Sequence, residues 1–381
     1  MERVDVEPEL LRWARQRAGL GIDALAGRFP KLNAWERGEI RPTLKQLERF
    51  SKATFTPIGC FFLREVPVER VPIPDFRTVA GEGLDRPSAN LLDTIYLCQQ
   101  RQDWYREFVR SAGIEPVDFV GSSQLDDDIS EAAVRIRRFL GFDIEERRRL
   151  PTWTDALRRF IGQADARGVL VMVSGVVGSN SRRSLDPQEF RGFALADPTA
   201  PLIFINGKDT KAAQMFTLAH ELAHLWLGSS GVSDVEAAEI GDQETERWCN
   251  RVAAELLVPL LPLKAEYSAR APLSDELNRL ARRFKVSTLV ILRRIHDAGF
   301  LTRHAFRSAY AAEIDRLGGL PGGKGGDFYL TLGARVSQRF ARAIVTSTLE
   351  GQTSFSESFR LLGFRKMETF SKLANNLGLG F

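Results

Sequence analysis

The sequence predicts an α+β protein that is predominantly helical: an all-α module first, then a mixed domain around a small sheet, then a helical C-terminal region. Two observations lead there. Residues 8–64 read as short amphipathic helices broken by turns, and between residues 151 and 260 β-branched apolar runs bounded by Gly, Pro and Asn appear, with helical periodicity on both sides. At 381 residues the chain exceeds the usual single-domain size, so two or three domains are expected, each able to bury a core without staples.

Composition narrows the class further. Cys60, Cys98 and Cys249 lie far apart with no CxxC pair, against a disulfide framework or a cysteine-held structural zinc. The opening "MERVDVEPELLRWARQRAG" lacks the apolar segment of a secretory signal, and no apolar run approaches the roughly 18 residues that span a bilayer. The expectation is a cytoplasmic protein with no membrane partner. A net charge of +4 permits an acidic partner without requiring one.

In order along the chain, residues 1–68 form the first module: "PELLRWARQRAG", "IDALAGRF" and, after Pro42, "TLKQLERFSKAT" are each too short to stand alone and close on the apolar "PIGCFFL". Residues 69–150 are linker and helical scaffold. "VPIPDFRTVAGEGLDR" breaks periodicity, and Leu91, Ile95, Leu97, Trp104, Phe108 and Val109 then mark a buried stripe. Residues 151–270 hold the strands: "GVLVMVSGVVG" (168–178), "EFRGFAL" (189–195) and "PLIFIN" (201–206). Residues 271–312 return to short helices. Residues 313–381 are a glycine-rich joint and amphipathic C-terminal helices. In "GGLPGGKGGDF" (318–327), Gly318, Gly323 and Lys324 have phosphate-loop spacing, but Gly325 replaces the magnesium-holding Ser or Thr and no strand enters, so no nucleotide site is expected.

The chemistry concentrates in "FTLAHELAHLWLG" (216–228), which holds two of the chain's four histidines. Residues four apart on a helix stand one above the other, so His220 and His224 can present two imidazole nitrogens to one metal ion, while Leu218, Leu222 and Leu225 anchor the helix on another side. Glu221 lies where a carboxylate can take a proton from a water acidified by zinc. A peptidase zinc wants a third protein donor and an open position. His296 and His304 are more than seventy residues away, which leaves a carboxylate from "QETERWCNRVAAELLVP" (243–259): Glu244, Glu246 or Glu255. Glu246 shares a face with Asn250, Ala253 and Leu257, which suits a ligand with an amide behind it, Asn250 holding a histidine or the carboxylate. Glu255 is the alternative. Phe216 and Trp226 read as core packing. The run "LIFIN" is either an ordinary core strand or an edge that could pair with an extended substrate.

"FTLAHELAHLWLG" followed by "ETERWCNRVAAELLVP", with "DPQEFRGFALADPTAPLIFIN" upstream, resembles the ImmA/IrrE family of zinc metallopeptidases over roughly residues 155–300. The resemblance implies a zincin-like α+β domain and a gluzincin-like site, with His220, His224 and Glu246 holding zinc and Glu221 as general base. It also implies a regulatory role in which a repressor protein is cleaved to switch on stress or mobile-element genes.

Residues 10–50 resemble the N-terminal helix-turn-helix module of the XRE repressor family, through "LLRWARQRAGLGIDALAGRF" and the WE-G-PT landmark of "WERGEIRPTLKQLERFSKA". In that family the second of two adjacent helices enters the DNA major groove. Here the stretch between Ala26 and Trp35 is about one helical turn short, and Pro30 falls where that helix should start or run. A second helix-turn-helix pattern occupies 273–302. Residues 271–307 carry eight Lys or Arg against three Asp or Glu, net +5, the strongest footprint for phosphates in the chain.

The reading is a zinc-dependent endopeptidase that cleaves a specific regulatory protein and is coupled to a repressor-like module. The alternative is a DNA-binding transcriptional regulator or antitoxin-like protein whose zinc domain binds a partner or senses a signal. A protein substrate is the expected partner; DNA and a second copy of the chain are the further partners the sequence allows.

Overall fold

The computed structural model describes residues 3–75, 87–233, 244–318 and 335–380. It is α+β and predominantly helical, with one four-stranded mixed sheet among the described residues. It divides into two compact units: Met1–Pro72 with Gly81–Tyr96, and Ile73–Ala80 with Leu97–Phe381.

The first unit holds α1 (Pro8–Arg17), α2 (Ile22–Ala26), α3 (Leu32–Glu36), α4 (Leu44–Thr54) and a 3-10 turn at Ile58–Phe62. Pro8 starts α1 at a position where its missing N–H costs nothing. A reciprocal cap between Thr43 and Gln46 starts α4. Leu10, Leu11, Leu32, Trp35, Phe50 and Phe61 form its own core. Arg15 clamps the buried Glu36 through both guanidinium edges at 2.6 and 2.9 Å, tying α1 to α3. Pro30 lies in the turn between α2 and α3, so it breaks no helix, and both helices are only five residues long.

In the second unit, α5 (Ala89–Ser111, whose first turns are counted with the first unit), α6 (Ile129–Leu140), α7 (Ile144–Arg149) and α8 (Trp153–Ala166) precede the sheet. The strands are β1 (Leu170–Ser174), β2 (Gly192–Leu195), β3 (Leu202–Asn206) and β4 (Gly231–Ser233), in the order β1-β3-β2-β4. β1 is parallel to β3; β2 is antiparallel to both β3 and β4. Both faces are covered, which is why the strands read as continuous apolar runs rather than alternating ones. "LIFIN" is therefore a core strand: β3 is paired on both sides, and no edge of it is open to a substrate.

Helix α9 (Lys211–Trp226) lies on the face made by Val171, Ala194, Ile203 and Ile205. After it come α10 (Glu244–Leu257), α11 (Leu260–Glu266), α12 (Leu273–Phe284), α13 (Thr288–Asp297) and α14 (Arg303–Gly318). Leu280, Phe284, Ile291, Leu292 and Ile295 of α12 and α13 belong to the same continuous core as Leu218, Leu222 and Leu225 of α9. Much of the positive charge counted over 271–307 is neutralised within this unit. Arg279 pairs with Glu276, Arg283 with Glu145 and Glu266, and Arg293 with Asp297, while Lys285 is buried over the Trp153 ring.

Among the described residues the tail forms α15 (Gln338–Leu349), α16 (Phe355–Leu362) and α17 (Met367–Asn376). Asp165 at the end of α8 accepts from Ser337 Oγ and from the Arg339 backbone N–H, fixing the start of α15. The phosphate-loop imitation at Gly323, Lys324 and Gly325 lies outside the described residues.

Candidate metal centre

Thr210 begins α9 by accepting from the Ala213 backbone N–H, and from Gln214 to Trp226 every residue but Phe216 is buried. A helix sunk this deep cannot shift its polar groups toward solvent, so its histidines need partners inside. Trp226 stacks on Phe119 at 4.3 Å, as core packing.

Gly192 of β2 lets α9 approach the sheet. A Cβ there would stand 2.6 Å from Thr217 Cγ2, 2.9 Å from the Phe204 carbonyl oxygen and 3.1 Å from Glu221 Oε1. Its signal in the sequence was a glycine inside an apolar strand run, the mark of a close backbone approach.

Helix α10 lies against α9 and supplies the facing carboxylate. His220 Nε2 is 3.2 Å and His224 Nε2 3.0 Å from the two oxygens of Glu246, and the two imidazole nitrogens are 3.0 Å apart. One donor atom from each of the three residues lies within 4.8 Å of the others. Behind His220, Nδ1 meets Asn250 Oδ1 at 3.0 Å. The amide oxygen can only accept, so Nδ1 carries the proton and Nε2 presents its lone pair to the centre.

Electrostatics match that assembly. Burial alone would raise Glu246, yet His220 and His224 hold it down at about 2. His220 is raised despite burial because Glu246 and Glu221 face it, and burial lowers His224. Glu221 is pushed up to about 8 by burial and by the charge of Glu246, against the pull of His220. The Ser233 hydroxyl favours the ionised form of Glu221, and the oxygens of both Glu221 and Glu246 are buried and under-satisfied, which calls for an explanation.

A cation answers these observations together. Donors about 2.0–2.1 Å from a tetrahedral zinc stand roughly 3.3 Å apart, close to the three separations here. Two imidazole nitrogens and a carboxylate oxygen are donors zinc accepts. The residues present fit the group.

Glu255 is elsewhere. It turns away from the histidines and pairs with Arg294 of α13. Around it, the carbonyls that end α10 are taken by arginines: Arg137 donates to the Glu255 carbonyl at 2.7 Å, Arg147 to that of Leu257, and Arg294 to that of Val258 at 2.9 Å. Arg147 is fully buried, 4.8 Å over the Phe142 ring, and burial with Arg137 and Arg283 nearby pushes it down to about 9. Glu244, the remaining carboxylate of the helix, is exposed.

Sequence reasoning missed Ser233 of β4, which is fully buried with its hydroxyl 3.3 Å from His224 Nε2. A three-residue strand leaves no periodic signal. It also missed Arg294, whose trace was a charge between Leu292 and Ile295 in a buried stripe.

Two histidines and a carboxylate converging on one point, with the buried Glu221 beside them, could hold a single metal ion. Residues 164–296 match the family model for the IrrE N-terminal-like domain. Residues 336–376 match a domain of unknown function. Among curated proteins, the chain is 32% identical over 139 residues to the radiation response metalloprotease IrrE of Deinococcus radiodurans. The match covers 35% of this chain and 41% of that protein, so the chain spans about two fifths of its relative's length.

Proposed function

We propose that the chain is a zinc-dependent endopeptidase that cleaves a specific regulatory protein, a repressor being the substrate class expected. The observation that carries this reading is the convergence of His220, His224 and Glu246 within 4.8 Å, with the buried Glu221 beside them. The likeness to a metalloprotease of Deinococcus radiodurans supports it.

In this reading His220, His224 and Glu246 hold the ion. When bound, it would acidify a water and polarise the scissile carbonyl. Glu221, oriented by the packing of α9 on Gly192, takes the proton from the attacking water and returns it to the leaving amine. Asn250 keeps His220 in the tautomer whose Nε2 faces inward. Residues 271–312 serve as a buttress for α10 through Arg294. The first unit is a repressor-like module that selects the partner. No helix among the described residues is long and apolar enough to cross a membrane, which fits a protein substrate in solution.

The test is incubation of the zinc-loaded full chain with the product of its neighbouring gene. The wild type is expected to cut it at one site, and Glu221→Gln to lose about 10²–10⁴ in rate with zinc retained. Operator protection by the chain, with no cleavage of any co-encoded protein, would instead favour a DNA-binding regulator.

A further inference from the structure

With "LIFIN" paired on both sides, an extended chain can join the sheet only at an outer strand, and one outer strand runs beside the metal-binding residues. Strand β4 ends the order β1-β3-β2-β4. Its Ser233 stands opposite Gly192 in the register, and both lie at the centre: the serine hydroxyl is 3.3 Å from His224 Nε2, and a Cβ on Gly192 would be 3.1 Å from Glu221 Oε1. A chain laid along the outer side of β4, one strand spacing or about 4.8 Å away, therefore passes next to that centre.

An edge strand ordinarily leaves a row of backbone groups unpaired. Here Gly231, Val232 and Ser233 are all buried, and part of the cover is the chain itself. The Val232 backbone N–H donates to the Pro74 carbonyl at 2.9 Å, and Val232 forms a parallel bridge with Asp75. Ile73 is half-buried, whereas Pro74 and Asp75 are exposed. The segment is an excursion: Ile73–Ala80 is counted with the second unit, but the chain up to Pro72 and again from Gly81 is counted with the first.

Two properties make this cover displaceable. Pro72 and Pro74 have no N–H to donate, so the segment cannot build a regular ladder along β4. Strand pairing also uses main-chain groups, so any extended peptide that brings a carbonyl level with Val232 can make the same bond. The segment and an incoming strand compete for one donor, and one such bond is worth only about 2- to 10-fold in an equilibrium. Tethered at both ends, the segment competes at an effective concentration on the order of millimolar.

We propose that the outer edge of β4 is a docking edge for an extended peptide and that Ile73–Asp75 occupies it as a built-in competitor. A substrate must then displace the chain's own strand before its peptide bond meets the centre. The purpose of this device rests on the peptidase reading; the occupied edge does not.

The test uses the zinc-loaded full chain in three forms: wild type, a loosened variant (Ile73→Gly/Pro74→Gly/Asp75→Gly), and a lock (Asp75→Cys/Val232→Cys) whose new thiols face one another across the bridge, where a disulfide can close. Without substrate, hydrogen exchange at the Val232 amide should be about fivefold faster in the loosened variant. The peptide RVPIPDFR, which copies residues 70–77, should restore its protection at millimolar concentration. On the product of the neighbouring gene, the loosened variant should show KM about 2- to 10-fold lower with kcat within twofold, as removal of a competitor requires. The oxidised lock should lose at least about 100-fold in rate with its zinc content unchanged, and recover on reduction with a phosphine. An unchanged KM together with an active oxidised lock would reduce the segment to an ordinary added strand. Failure of the peptide to protect Val232 would show that the edge accepts no chain in trans, and cleavage of the wild type within its own segment would make that segment a substrate; either overturns the proposal. If the loosened variant does not fold, the lock decides, since its oxidised and reduced forms share one sequence. A chain that cleaves nothing while the peptide still protects Val232 would remove the peptidase reading and leave the docking edge standing.

Discussion

Helix α10 carries two buried carboxylates nine residues apart that have opposite fates. Glu246, near its start, faces the histidines of α9 and is held at about 2 by them. Glu255, near its end, meets Arg294 inside a ring of arginines that take up the terminal carbonyls. Nine residues at 100° each turn a helix by half a revolution, so the two point to opposite sides. One end of the helix meets a centre with an unmet demand for positive charge, and the other end already has its cation built in. A buried carboxylate's role is thus set by which neighbour answers its charge, since an unanswered one would not be tolerated there.

The largest expected effect tests the arginine end. Arg294→Ala leaves Glu255 buried without its counter-charge and should cost about 3–5 kcal/mol in urea unfolding, partly recovered in the Arg294→Met/Glu255→Leu double variant. A loss under about 1 kcal/mol would mean that Glu255 finds water or another partner, and the contrast between the two ends would weaken.

Next comes the histidine end. Glu246→Ala should lower metal affinity at least about 100-fold in chelator competition, more than a supporting residue costs, while Glu255→Gln should leave it within about threefold. The reverse pattern would exchange the two roles.

The smallest effect sharpens the comparison within that end. Asn250→Ala removes only the acceptor behind His220 and should weaken metal binding about tenfold, without abolishing it. Affinity equal to wild type would show that the inward-facing nitrogen of His220 is set by burial alone.

How legible all this was depended on the length scale of each contact. The α9 site was readable because a four-residue spacing puts His220 and His224 on one side of any helix, whatever surrounds it. The sheet was readable from apolar runs, though its order was not: "LIFIN" has the same composition as an edge or a centre, and only pairing with β1 and β2 made it a centre. Arginines in "EERRRL" look like solvent charges, and nothing local announces that Arg147 is buried beneath the end of α10. Part of the net +5 of 271–307 is offset by carboxylates that the local sequence does not show, since Glu145, Glu266 and Glu255 lie in other elements.

By itself, the sequence determined what depends on neighbours along the chain: the helices, the apolar strands, and two imidazoles with an adjacent carboxylate at one helical spacing. Tertiary structure set Glu246, which the sequence favoured, against the histidines and Glu255 against Arg294; it alone decided that Ser233 arrives from a three-residue strand and that Gly192 leaves room for the helix to lie so close. Those outcomes rest on charge, burial and steric contact between residues remote in sequence, and such forces have no value until the chain has brought the partners together.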